Sequence, residues 1–285
     1  MSINRISKQA ALVIALLFAP LPSCNAPDSV ARFCSSAVVT LKTGDAVFDD
    51  MKASCIRDAQ TFEPFGAFAA TDPNPAACDN IGKQADGLKA ASKLVLNYFT
   101  ALNDVVNFGT SKAGDDSKAQ AAKASSLAKL SAARQTALES VAGFLVRTAA
   151  TGYEQKRMWE EIIKVHDDVR AVLDGLGEAV GVAYTQQLQD EEQKTAARYK
   201  EFLLQHQGAA DVILTLDSRW QSDRASFAAK QKAAQSYKAA LDTLAKGNDD
   251  LAAHARGFKA KELSGLLSPY AAQLESLAPV IQKAF

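Results

Sequence analysis

The distribution of proline constrains the fold of this chain more than any other feature of its sequence. The chain has eight prolines, of which Pro269 and Pro279 lie near the carboxyl terminus and the others precede residue 76. Proline interrupts helices and is common in the turns of β proteins, so a long stretch without it favours helices. The stretch from Ala76 to Ser268 is also rich in Ala, Leu, Gln, Lys and Glu, which are good helix formers. We therefore predict an all-α fold.

Apolar residues recur at helical spacing over long segments, and no sustained alternation of apolar and polar residues predicts a strand. Thirty helical residues span roughly 45 Å, and helices of this length joined by short turns pack antiparallel. The sequence thus predicts one domain over 29–285, an elongated bundle of long antiparallel helices. The predicted helices cover 29 to about 61, 79–107, 118–150, 153–208 with a possible restart at Asp167, a stretch from Ala210, and a last short helix set off by Gly265 and Pro269.

The amino-terminal segment has the pattern of an export signal. Arg5 and Lys8 precede a short apolar run within Ala10–Cys24. A membrane-spanning helix needs about 20 apolar residues, and this run is shorter. The sequence therefore predicts export of the chain.

The end of this run, Leu21-Pro22-Ser23-Cys24, resembles the lipobox of bacterial lipoproteins. The resemblance implies that 1–23 is a signal peptide, that Cys24 carries the lipid, palmitate included, and that 24–28 is a lipid-anchored linker. It also implies a periplasmic location, with the outer membrane favoured because Asn25, and not Asp, follows the cysteine. Ordinary cleavage after Ala26 is the alternative. The signal and helical pattern resemble uncharacterised all-helical bacterial lipoproteins, which supply no activity.

The charge of the chain argues against nucleic acid as a partner. The whole chain has 32 basic and 32 acidic residues, and the signal contains Arg5 and Lys8 without an acid. The mature chain would therefore carry a charge near −2, which provides no strong field for nucleic acid or an anionic membrane surface. The expected contact with a membrane is through the lipid.

Three cysteines remain besides Cys24, and their pairing depends on the first helix. If 29–61 is one helix, Cys34 and Cys55 lie far apart, and the chain can return through the Pro-rich loop Thr61–Ala77 to join Cys55 to Cys78. If Gly44 is the turn of a hairpin, Cys34 and Cys55 can pair instead. We favour the single helix and the Cys55–Cys78 bond.

The sequence offers no recognisable catalytic or metal-binding motif. None of the three histidines follows an acid three residues earlier, so the Glu-x-x-His motif of di-iron bundles is absent. Covalent-haem, zinc-protease and nucleophile-elbow motifs are absent as well. We expect no cofactor and no enzymatic activity, and favour an interaction or scaffold protein with an unidentified protein partner. A binding protein for a small apolar ligand or lipid held between the helices is the alternative.

A few residues are weak candidates for a partner surface. Phe65 and Phe68 lie in the Pro-rich loop, which either covers the end of the bundle or binds a partner. Arg147, Lys156 and Arg157 flank a predicted turn and could form a basic spot for an anionic partner. By periodicity alone, the acidic run Asp190-Glu191-Glu192 is predicted to face solvent, and Trp159 and Trp220 to lie in the core.

Overall fold

A computed structural model of the chain describes residues 26–60, 76–107, 114, 116–151, 155–255 and 260–285. These residues form helices and turns, with no strand among them, and the predicted all-α class is confirmed. None of the described helices is both long and apolar enough to cross a membrane. The helices are α1 (Ala26–Thr43), α2 (Asp45–Gln60), α3 (Ala76–Val106), α4 (Ser117–Leu127), α5 (Ala132–Thr151), α6 (Gln155–Glu178), a π-helical segment (Ala179–Tyr184), α7 (Thr185–Gln205), α8 (Ala210–His254) and α9 (Ala260–Gln282).

The first helix begins inside the segment predicted as a linker and breaks near its middle. Helix α1 starts at Ala26 and has Pro27 in its first turn. Proline is tolerated there, because the N–H group that it lacks would have no acceptor within the helix. The predicted single helix over 29–61 is wrong, because α1 ends at Thr43 and α2 begins at Asp45. The Tyr237 ring lies against Gly44, where a Cβ would come within 2.1 Å of it, so the chain bends at a residue without a side chain.

The break at Gly44 does not make a hairpin. Along α1 and α2, Phe33 contacts Phe99, Asp49 pairs with Lys89, and Cys55 is bonded to Cys78. The partners on α3 therefore follow one another in reverse order, and both helices run along α3 in the opposite direction. The predicted Cys55–Cys78 disulfide is confirmed, with the Cα atoms 5.7 Å apart, and Cys34 is a buried free thiol whose pKa is raised by burial.

Two other helix boundaries differ from the predicted ones. The helix predicted over 118–150 is divided into α4 and α5 by a turn in which Lys129 has a φ of 49°. Here the backbone of Ala128 lies so close to Gly87 that a Cβ on the glycine would be 2.4 Å from its nitrogen, and this contact on α3 fixes the end of α4. The last helix is longer than predicted, because it already begins at Ala260, and Leu263 and Leu267 belong to its buried face before Pro269.

The π-helical segment aligns the buried faces of α6 and α7. Leu176, Val180, Tyr184 and Leu188 are all at most 1% exposed, and each lies four residues after the one before. On an α-helix this spacing rotates each side chain about 40° away from the previous one. A π turn accommodates one more residue than an α turn, so the later side chains return to the core.

Candidate functional site

A two-helix arm extends beyond the helices that pack against the core. We define the arm as residues 195–226, the end of α7, the connecting turn and the start of α8. None of its residues is buried, whereas α7 buries Glu191 just before the arm and α8 buries Phe227 just after it. The part of α8 within the arm spans about 25 Å at 1.5 Å per residue.

The arm is directed away from the start of α1. Phe33 of α1 lies against Gly247, and Asp50 of α2 binds Lys230, so α8 runs opposite to α1 and α2. Residues 210–226 precede Lys230 on α8 and therefore lie beyond the level of Asp50. The arm thus points away from Ala26.

The two helices of the arm meet along a seam that leaves its side chains half-exposed. The Tyr199 and Trp220 rings lie 5.6 Å apart, and the Tyr199 hydroxyl donates a hydrogen bond to Asp223 at 2.7 Å. Near the tip, the His206 ring stacks on Phe202 at 4.0 Å. A pair of helices can cover a shared seam from two sides only, so these aromatic side chains remain partly in contact with solvent.

The tip of the arm exposes large apolar side chains. Three of the six exposed large hydrophobic residues in the described part of the chain belong to the arm, namely Leu204, Ile213 and Leu214. Leu204 is 60% and Leu214 is 70% exposed. Single exposed apolar residues are ordinary, but a group at the end of a projecting element is typical of a docking surface.

A buried ionic cluster fastens both helices of the arm to α2. We call it the basal cluster, and it is centred on two carboxylates, Asp50 and Glu191, bridged by one guanidinium. Arg57 donates to both oxygens of Asp50 at 2.9 and 3.0 Å and, through Nε, to Glu191 at 2.5 Å. The other members are Ser54, Tyr184 and Lys230, which donate to Glu191 at 2.6 Å, to Asp50 at 2.6 Å and to Asp50 at 2.8 Å, respectively.

The charges of the basal cluster balance, and its hydrogen bonds determine the protonation states. Burial raises the pKa of Asp50, but hydrogen bonds from Arg57, Lys230 and Tyr184 outweigh this effect, and the net pKa lies below its usual value. Burial and the neighbouring Asp50 charge raise the pKa of Tyr184 far above 10. At neutral pH Asp50 is therefore a carboxylate and Tyr184 a neutral phenol.

Further contacts extend this attachment along α2. Lys194 pairs with Asp58 at 2.6 Å, and the Gln187 amide donates to the Met51 carbonyl at 2.7 Å. Arg198, the first charged residue of the arm, donates to the Gln60 carbonyl at 2.9 Å. The base of the arm is thus held to a helix that the Cys55–Cys78 bond ties to α3.

The structure does not gather the predicted partner-surface residues into one site. Cys24, Phe65 and Phe68 lie outside the described residues. Arg147 lies on α5 and pairs with Glu161 at 2.9 Å, so its charge is matched by an acid of α6. The remaining two candidates, Lys156 and Arg157, lie in the first turn of α6.

Periodicity missed two residues of this region. Glu191, predicted to face solvent, is 1% exposed and lies in the basal cluster, and Trp220, predicted to lie in the core, is half-exposed on the arm. Within the described residues, no group of three or more His, Cys, Asp or Glu side chains is arranged to hold a metal ion. Comparison of the chain with models of protein families, with curated proteins and with solved structures gives no match.

Proposed function

We propose that this protein is a lipid-anchored periplasmic protein, an elongated bundle of antiparallel helices, that acts as a non-enzymatic interaction or scaffold module of the cell envelope. The arm is its docking element. The observation that carries the proposal is the exposure of Leu204 and Leu214 at the end of an element that no described helix covers. Burial of each such side chain by a partner contributes roughly 1.5–3 kcal/mol.

The position of the arm fits an anchor at Cys24. Helix α1 begins at Ala26, two residues after the proposed lipid attachment site, and the arm points away from this end of α1. A lipid at Cys24 would hold the start of α1 close to the membrane and direct the arm away from it. The arm would then reach partners in the periplasm.

The basal cluster fits a supporting role better than a catalytic one. Asp50 and Glu191 are occupied by internal hydrogen bonds from Arg57, Lys230, Tyr184 and Ser54. A general base or nucleophile needs a free lone pair directed at a substrate. In this proposal the cluster holds the arm at a fixed angle, and docking takes place at the tip.

The proposal is tested by photocrosslinking in the cells that produce the protein. A benzophenone amino acid replaces Leu214 in one variant and Glu139, which is exposed on α5, in a control variant. We expect discrete protein adducts from position 214 after irradiation and none from position 139. If the two positions give the same pattern, the arm is not a docking element.

The anchor is tested separately by metabolic labelling with palmitate. We expect wild-type protein to be labelled and to sediment with membranes, and a C24A variant to lose the label. Unchanged labelling of C24A would refute attachment at this residue.

A further inference from the structure

We propose that the partner of the arm is the arm of a second copy of this chain, and that the two arms pack side by side about a two-fold axis along their length, with both tips directed away from the membrane. The inference rests on the proposed function of the arm as a docking element. Three observations support it. The side chains of the seam are only partly buried, the exposed leucines lie beside charges without an ion-pair partner among the described residues, and the arm has equal numbers of basic and acidic side chains.

The seam of one arm requires further helices to become buried. Phe202, Leu216 and Trp220 each remain partly exposed on an arm that consists of α7 and α8 alone. Two hairpins that pack on each other place four helices around a common seam, as in a four-helix bundle. A second arm supplies side chains of the same kind.

The exposed charges of the two helices are complementary. On α7, Lys200 lies one helical turn from Leu204, and on α8, Asp217 lies one turn from Leu214. Within the described part of the chain neither Lys200 nor Asp217 has an ion-pair partner. Each exposed leucine therefore shares a helix face with an unpaired charge, and the two charges have opposite signs.

In a two-fold symmetric pair of arms, the contact between the two opposite charges occurs twice. In a symmetric pair, α7 of one copy faces α8 of the other, so Lys200 of each copy meets Asp217 of its counterpart. The residues from 195 to 226 include four basic and four acidic side chains, so one arm does not repel another electrostatically. Charges at an interface of this kind select the partner and its orientation more than they add affinity.

The test is sedimentation equilibrium of the full chain in a density-matched detergent at micromolar concentrations. The variants are K200E, D217K and the double charge exchange K200E/D217K, with K123E on the exposed face of α4 as a control. We expect wild type and K123E to be dimeric. We expect K200E and D217K each to raise the dissociation constant about tenfold, because each replaces two attractive pairs with two repulsive ones.

The decisive measurement is the rescue by charge exchange. The double variant restores both pairs within a homodimer, and an equimolar mixture of K200E and D217K restores both within a heterodimer. Recovery of dimers in both cases supports the proposal. A monomeric wild type, single variants that remain dimeric, or a mixture that does not associate would each overturn it.

The same experiment separates this inference from the proposed function. If wild type is monomeric while the crosslinker at position 214 still captures a different protein, the second copy is wrong and the docking role stands. If neither association nor an adduct is found, both proposals fail.

Discussion

Replacement of Glu191 by glutamine measures how strongly the basal cluster holds the arm. The substitution preserves the shape of a side chain that is 1% exposed and removes its charge. Glu191 accepts hydrogen bonds from Arg57 and Ser54, and loss of one partner of a buried ion pair costs roughly 3–5 kcal/mol. The Arg57 side chain is 36% exposed, so water replaces part of the lost interaction. We therefore expect the free energy of unfolding to fall by about 2 kcal/mol.

The neighbours of Glu191 supply matched controls for this substitution. Asp190 is exposed and accepts one hydrogen bond from Gln186, and Glu192 accepts one from Gln231. Urea unfolding followed by circular dichroism should place D190N and E192Q within about 0.5 kcal/mol of wild type. If E191Q is as stable as D190N, the buried ionic network does not stabilise the attachment of the arm to α2.

Three further variants test other parts of the structure. The pKa of Asp50 lies below its ordinary value, so the stabilisation from its charge is complete above the ordinary carboxyl pKa near 4 and is lost as the pH falls through the pKa of the folded state. D50N should therefore lower the urea midpoint at pH 7. It should also make that midpoint fall less steeply below about pH 4. Removal of the Cys55–Cys78 bond in C55S/C78S should cost about 3 kcal/mol for a sequence separation of 23, seen as a lower Tm, and an unchanged Tm would contradict this. A Cβ at Gly44 would meet the Tyr237 ring, so G44A should cost about 1–3 kcal/mol in urea unfolding, and a neutral effect would show that the ring is free to move.

The features that the sequence predicted correctly depend on local chemistry. The absence of proline from Ala76 to Ser268 predicted helices, because proline interrupts the helical turn in which it lies whatever the rest of the fold. The Cys55–Cys78 bond was also predictable. It was derived from a single helix over 29–61, and it survives the break at Gly44 because α1 and α2 still run in the same direction along α3, which keeps Cys34 far from Cys55.

The helix breaks depend on residues distant in sequence. The chain bends at Gly44 because the ring of Tyr237 occupies the adjacent space, and α4 ends where Ala128 touches Gly87. A glycine in a helical pattern marks a weak point, but its propensity cost of about 1 kcal/mol does not determine whether the helix continues. The packing partner decides this, and it cannot be read from the local pattern.

The candidate site was missed for the same reason. Glu191 stands in an acidic run that is typical of a solvent-exposed face, and its partner Arg57 precedes it by 134 residues. A heptad seam likewise predicts that Trp220 faces another helix, but not how many helices surround it. One signal was available, since the repeated four-residue spacing of Leu176, Val180 and Tyr184 does not fit a regular α-helix.

That spacing leads to a prediction about the π-helical segment, in which Val182 is 63% exposed. Deletion of Val182 shortens one interval to three residues, and the resulting four-three-four pattern fits an α-helix without the extra residue. We expect the deletion to lower the free energy of unfolding by at most about 1 kcal/mol, since the packing of Leu188 and Glu191 is retained. Deletion of Ala171 within α6 is the matched control, because it rotates the buried side chains between the deletion and the π segment, among them Leu173 and Leu176, by about 100° away from the core. Thermal unfolding should therefore separate the two variants widely. Equal destabilisation would show that the π segment does not set the register of α7.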